Sequence, residues 1–405
     1  MFKILSVLLI IAVQLSAQYE AVNSKIDSLL QEKFFESTVA SVSAYNLTKD
    51  EPVYKKNEKL LLRPASNMKV ISSSTMLYFL GPDYKYYTGI YSDGIIRNGT
   101  LYGDIYFYGN GDPSFSSSDL DSLIVMLKEK NVTEITGNVY GDVSAYDSIF
   151  WGEGWMWDDD PSYYFPYFSP LILNESGVTV TLIKNENEEL EVKTFPESNY
   201  FKVVNLVNIK EEGRSRINIT RDWLNRNNDI TVKGSVNKKF TKYSTTISLF
   251  NPSDFFMFYT IERLKANGIR INGNYSFKER PEEITEIGKI ESNFGDLINV
   301  LNKESDNFYA EIYATSTSEG KNQYNDAFFS GGFYNKKLPM WAMIDGESAE
   351  IINESNSGLV SPAGDYKKLA ENIILASSLS KKALDRYGNK VPANWIEVEK
   401  KAAKK

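Results

Sequence analysis

Ser66-Asn67-Met68-Lys69 sets a hydroxyl and an amine three positions apart. On a helix that spacing brings both side chains to one face. A serine at a helix start lies at the positive end of the dipole, where a developing oxyanion is stabilised. A lysine buried beside it loses its proton more readily and can act as a base toward the hydroxyl. The chemistry this predicts is acyl transfer through a serine ester. Spacing alone is weak, because Ser235/Lys238, Ser318/Lys321 and Ser378/Lys381 repeat it. Ser66 stands apart because Pro64 precedes it and an apolar run follows it, with Val70, Ile71, Met76, Leu77, Phe79 and Leu80.

A second polar cluster, Ser305-Asp306-Asn307, opens an apparent helix running to Thr315. By itself it reads as an N-cap, since these residue types are the favoured capping ones. What the chain lacks narrows the chemistry further. It contains no histidine and no cysteine. A Ser-His-Asp triad, a Cys-His pair and the usual zinc sites are therefore impossible. A hydrolase built from this chain must take its base from Lys, Asp or Glu, or from a metal held by oxygen ligands.

The elements that must position these groups fall into three stretches. The first is helical, with an amphipathic helix over Tyr19 to Phe35, a strand over Ser37 to Asn46 and a buried helix over Ser66 to Leu80 ended by Gly81-Pro82. From Tyr86 the pattern turns to short strands split by Gly and Asp, including Gly89–Tyr91, Gly103–Tyr108, Ile135–Asp142, Val178–Ile183, Leu190–Thr194 and Ile230–Leu249. One helix, Asp119 to Lys130, interrupts them. Helices return at Phe255–Asn267, Phe294–Leu301 and Asn307–Thr315. Helical, then largely β, then helical again is the order expected of an insertion within an α/β domain. The predicted division is an export signal at 1–17, a first part of the main domain at 18–85, a β-rich insertion at 86–285, a second part at 286–380 and a Lys-rich tail at 381–405.

With 405 residues the chain is long enough for two or three domains and a core that needs no disulfide. Lys3, the apolar run Ile4 to Val13 and Leu15-Ser16-Ala17 read as a signal peptide, which predicts a secreted, periplasmic protein. The net charge is −8 and the Lys and Arg residues are dispersed, which argues against nucleic acid as a partner. Gly109-Asn110-Gly111-Asp112-Pro113-Ser114 lacks the third glycine of a dinucleotide loop and is interrupted by Pro113.

Taken together, these phrases resemble the D-alanyl-D-alanine carboxypeptidase/endopeptidase group, penicillin-binding proteins with a large insertion after the serine helix. Ser-x-x-Lys with Ser-Asp-Asn belongs to the motif set of β-lactamases and penicillin-binding proteins. The matching stretches are Arg63 to Lys69, Gly103-Asp104 through Gly109 to Ser114, Ile135-Thr136-Gly137-Asn138-Val139 with Gly141-Asp142, Trp155-Met156-Trp157-Asp158-Asp159, and Asn302 to Glu311. They occur in the family's order and cover most of residues 20 to about 315. The resemblance implies a penicillin-binding-protein/β-lactamase-like transpeptidase α/β sandwich with a β-rich insertion. It implies Ser66 as nucleophile, Lys69 as base, Ser305 as a proton relay toward the leaving amine and Asn307 as a substrate-binding amide. Peptidoglycan stem peptides would be the substrate and β-lactams would acylate Ser66, with no cofactor and no metal.

The third family motif, Lys-Thr-Gly, occurs nowhere, nor do Lys-Ser-Gly or His-Thr-Gly. Lys233-Gly234-Ser235 has another order and precedes Ser305. The expectation is a C-terminally truncated relative, with activity lowered by the loss of that strand or replaced by peptidoglycan binding alone. Trp151, Trp155 and Trp157 before Asp158-Asp159-Asp160 suit sugar stacking, a carboxylate pair or calcium. They equally suit a surface loop over buried tryptophans.

Overall fold

The computed structural model describes residues 19–60, 62, 65–148, 150–152 and 155–317, with short strands between 328 and 353. The expected export signal at 1–17 and the Lys-rich tail at 381–405 lie outside the described residues. The chain forms two compact units, one of residues 1–65 with 339–366 and the other of 66–338 with 367–405.

In the first unit, helix α1 covers residues 19–29, six short of the expected Phe35, and a 3-10 turn at Lys33–Ser37 follows. Strand β1 (Val42–Asn46) pairs antiparallel with β2 (Glu51–Lys56). β2 is not anticipated from the sequence, because Lys55 and Lys56 dilute its apolar alternation. Tyr54 on β2 donates to Asp27 on α1, which ties helix to hairpin. Met340–Ile344 and Ala349–Asn353 form a second antiparallel pair in this unit.

In the second unit, α2 (Met68–Leu80) carries the Ser-x-x-Lys lysine. It is followed by β3 (Lys85–Ser92), β4 (Ile95–Arg97), β5 (Thr100–Tyr102), β6 (Ile105–Gly109), α3 (Ser117–Glu129), β7 (Glu134–Ile135) and β8 (Val139–Asp142). α3 starts on a capping box, with Ser116 and Asp119 each satisfying the other's backbone N–H. Its buried Leu120, Leu123, Ile124 and Leu127 follow helical spacing.

Next come β9 (Gly177–Lys184), β10 (Leu190–Phe195), β11 (Val203–Lys210), β12 (Arg216–Arg221), β13 (Ile230–Asn237), β14 (Lys242–Ser248) and α4 (Pro252–Ala266). β15 (Arg270–Ile271), β16 (Tyr275–Phe277), β17 (Thr285–Asn293), α5 (Phe294–Lys303) and α6 (Asn307–Thr317) complete it. The strands assemble into a five-stranded sheet in the order β16-β8-β6-β3-β17, a four-stranded sheet β15-β7-β5-β4, and two three-stranded sheets, β10-β9-β14 and β11-β13-β12.

β11, β12 and β17 were not anticipated from the sequence. β11 and β17 are mostly exposed or half-buried, so polar residues blur their period-2 pattern. The stretch Ile230–Leu249, read as one strand, is two, parted by a turn at Asn237–Phe240.

One core joins the sheets to α3 and α4, through Ile90, Phe107, Leu123, Val180, Val232 and Phe256. A second core, of Met76, Tyr86, Phe168, Phe294, Ile298, Phe308, Ile312 and Tyr313, binds α2 to α5 and α6. This second core fixes the two candidate motifs relative to each other. Gly111, at φ +84, explains its own motif without any nucleotide. A Cβ there would lie 1.9 Å from the Tyr146 hydroxyl, which donates to the Asn110 carbonyl. The loop is a packing joint.

Candidate active site

α2 enters its first turn through Ser66, whose carbonyl accepts from the Lys69 N–H at 3.0 Å. The Ser66 side chain is exposed, and the N-cap position of α2 falls on Asn67 rather than on Ser66. Lys69 is 8% exposed, and its Nζ lies 3.3 Å from Ser66 Oγ. Three consecutive buried serines follow, Ser72, Ser73 and Ser74, each returning its hydroxyl to a carbonyl within the helix. Their small side chains let α2 approach closely, and Asn302 at the end of α5 donates to Ser73 Oγ at 3.1 Å.

α5 is broken from α6 at Ser305, which sits at φ +58. Asp306 then caps α6, accepting from the Tyr309 N–H at 3.0 Å. The capping reading of this triplet therefore holds for its middle residue. Asn307, the first residue of α6, faces the amine. Its Oδ1 accepts from Lys69 Nζ at 2.5 Å, and its Nδ2 donates to the Tyr164 carbonyl at 2.8 Å. Ser66, Lys69 and Asn307 are thus brought together from the two motifs. Ser305 is exposed, and among the described residues its hydroxyl makes no hydrogen bond to them.

The electrostatics match a base. Burial holds the Lys69 amine below the usual lysine range, while the charges of Asp306 and Glu311 pull it back up. Glu311 stands one turn after Asn307, on the same face of α6. Burial pushes its carboxyl up to about 8, and Lys69 opposes that rise. Asp306 is also raised by burial, against the N–H bonds of Tyr309 and Phe308 that favour its charge. One amine is therefore surrounded by acids that resist ionising, which reduces the number of full charges the site must hold.

Sequence reasoning missed Glu311 as a site residue, although its i+4 spacing from Asn307 was a usable signal. It also missed Tyr164, which takes part through its carbonyl and so leaves no trace in residue type. Of the tryptophans, Trp151 is half-buried between Trp155 and Tyr167, at centroid distances of 5.1 and 4.5 Å. Trp157 is 71% exposed and lies 5.1 Å from Trp223. Asp160 is spent on a buried ion pair with Arg221.

This fold is that of a penicillin-binding protein. The crystal structure of penicillin binding protein 4 from Haemophilus influenzae matches with a TM-score of 0.61 and 19% identity, over 85% of this chain and 76% of that one. The chain belongs to the D-Ala-D-Ala carboxypeptidase 3 (S13) family, whose pattern it matches over residues 22–345. It is 24% identical over 265 residues to a D-alanyl-D-alanine carboxypeptidase of an Actinomadura species, covering 64% of this chain and 49% of that protein. It is 23% identical over 284 residues to a D-alanyl-D-alanine carboxypeptidase of Haemophilus influenzae, covering 70% of this chain and 59% of that protein. The chain thus spans only about half to three-fifths of these curated relatives.

Proposed function

We propose that this chain is a serine-type D-Ala-D-Ala carboxypeptidase or endopeptidase acting on peptidoglycan through an ester on Ser66. The observation that carries the reading is the Ser66–Lys69–Asn307 contact, with Lys69 buried and its amine biased toward the neutral form. Membership of the S13 family supports the same substrate class.

In this reading Lys69 Nζ takes the Ser66 proton as Oγ attacks the carbonyl carbon of the scissile peptide. The C–N bond breaks, and the departing amine receives a proton relayed by Ser305, whose exposed place between α5 and α6 leaves its hydroxyl available. Water then hydrolyses the ester and restores Ser66. The Ser66 backbone N–H at the helix start is suited to the oxyanion. Asn307 holds both the base and the substrate's peptide group.

β-Lactams would acylate the same hydroxyl, since their ring amide imitates the scissile bond. Residues 86–285 act in this reading as an insertion within the peptidase domain, and the leading apolar segment directs export to the periplasm. Among the described residues no helix is long and apolar enough to cross a membrane. Fluorescent penicillin labelling of the purified chain, with Ser66→Ala alongside, tests the proposal. Labelling that vanishes in the variant supports it. A folded wild-type chain that takes no label overturns it and leaves peptidoglycan binding without catalysis.

A further inference from the structure

Asn174, Glu175 and Ser176 are three consecutive non-glycine residues in the left-handed region, at φ 49°, 56° and 55°. Each such residue costs roughly 1–2 kcal/mol, and a run of three persists only where the surroundings impose it. The imposing contacts are clear. Asn174 Oδ1 accepts from the Ser117 N–H at the start of α3 (3.1 Å), and the Asn174 N–H donates to the Phe115 carbonyl (3.0 Å). The Ser176 carbonyl accepts from the Leu249 N–H at 2.8 Å. The turn points the Glu175 side chain at Tyr163, whose hydroxyl donates to it. The Tyr163 ring crosses Gly177, where a Cβ would stand 3.2 Å from the ring.

The next residue along is Tyr164, whose carbonyl receives the Asn307 amide. That contact decides which way the amide faces. An asparagine side chain has a donor end and an acceptor end of nearly the same shape. With the Tyr164 carbonyl in place, one N–H of the NH2 end is taken, the other is left for substrate, and Oδ1 faces Lys69. Without it, the amide can turn and oppose its NH2 to the lysine donor.

We propose that Glu175 is a positioning residue for the Ser66–Lys69 pair: by holding Tyr163 it fixes the Tyr164 carbonyl that orients Asn307. The left-handed turn is the cost of aiming Glu175, and it ties a β-rich segment to the base. The inference rests on reading Ser66 as nucleophile and Lys69 as base. Burial and the nearby Asp306 carboxylate push the Glu175 carboxyl above its ordinary range, which makes the hydroxyl bond from Tyr163 the more important for it.

Two variants of nearly native size test this, Glu175→Met, which takes away the acceptor, and Tyr163→Phe, which takes away the donor, each made in the full chain and compared with wild type by thermal melting. β-Lactam acylation is followed over a range of drug concentrations to separate the maximal rate from the half-saturating concentration. The expected result is about a tenfold fall in maximal rate for each, with half-saturation moved less than twofold. The double variant should be no slower than the slower single one, since both remove one contact.

Unchanged maximal rates in both variants overturn the inference. So does a double variant whose loss is the product of the two. Crystal structures of the variants give a readout that does not depend on activity. The Tyr164 carbonyl should move beyond 3.5 Å from Asn307 Nδ2, whereas a bond retained in both variants also overturns the inference. If the wild-type chain is not acylated, the proposed function fails and this structural comparison alone decides the positioning role.

Discussion

Lys69 and Asn307, 238 positions apart in the chain, meet through a 2.5 Å hydrogen bond from Nζ to Oδ1. The bond couples the Ser-x-x-Lys helix to the Ser-Asp-Asn turn. Ser66 Oγ is a second hydrogen-bond partner of the amine, at 3.3 Å. The core beneath, with Met76, Phe308 and Ile312, keeps the two helices in register.

Replacing the base should stop acylation while leaving the fold. Lys69→Met removes a buried amine and keeps an apolar stem of similar length. Loss of general-base action is expected to slow acylation by about 10²–10⁴-fold. Stopped-flow or gel-based labelling rates check this, with circular dichroism to confirm the fold. A rate within threefold of wild type would remove Lys69 from the mechanism.

Asn307→Ala strips Lys69 of its acceptor and the Tyr164 carbonyl of its donor at once. Hydrogen bonds to charged groups are worth roughly 1.5–3 kcal/mol, so acylation should drop by about 10- to 100-fold. Comparing the variant's rate with that of Asn307→Asp separates the loss of the acceptor from the loss of the donor. Aspartate keeps the oxygen facing Lys69 and adds charge, so its rate profile should move to higher pH.

The pH profile follows from Lys69. In the proposed mechanism acylation needs the neutral amine, so the rate should rise with pH as Lys69 deprotonates. Because burial lowers its pKa, that rise should be centred below the ordinary lysine value of about 10.4. A measured midpoint at or above the ordinary value would contradict the buried-base reading.

Glu311 makes the opposite kind of contribution to stability. Burial lifts its pKa in the folded chain to about 8, above the ordinary glutamate value of 4.5. Between those values the folded chain holds a proton that the unfolded chain has lost, so stability is present at acid pH and is lost as pH rises toward 8. Glu311→Gln should abolish that loss. The variant's melting temperature minus that of wild type should grow between pH 5 and pH 9, and a constant difference would refute the assignment.

Arg221 and Asp160 form a buried ion pair, with side chains 0% and 5% exposed. Arg221→Met leaves the Asp160 carboxylate without its cation and should cost about 3–5 kcal/mol. Adding Asp160→Asn should recover part of it, because no buried charge remains. Urea midpoints for the two variants decide the matter.

Much of the helical frame was legible in the sequence. α2, α3, α4, α5 and α6 each have apolar spacing or capping residues that a window of 11 to 18 positions reveals. The strands β11 and β17 were not legible, because half-exposed strands mix polar residues into both faces. Within the site, Ser66 and Lys69 were named from residue type and spacing, whereas Asn307 was named only from the family resemblance, since its residue type alone reads as a cap. Tyr164 was invisible because a carbonyl is common to every residue. Glu175 was invisible because its role depends on a left-handed turn between positions far from either motif.

The sequence by itself determined the kind of chemistry open to this chain. Lacking histidine and cysteine, a hydrolase of this chain must take its base from lysine, a carboxylate or a metal held by oxygen ligands, and Ser66 with Lys69 on one helical face offers a hydroxyl beside an amine. Those conclusions need only residue types and the 3.6-residue period. Which groups surround the amine was decided by tertiary structure. Burial sets the direction of the Lys69 and Glu311 shifts, and burial is a property of the packed core shared by α2, α5 and α6. The partner of Asn307 was likewise settled by packing, since only the folded chain brings residue 164 within hydrogen-bond reach of residue 307.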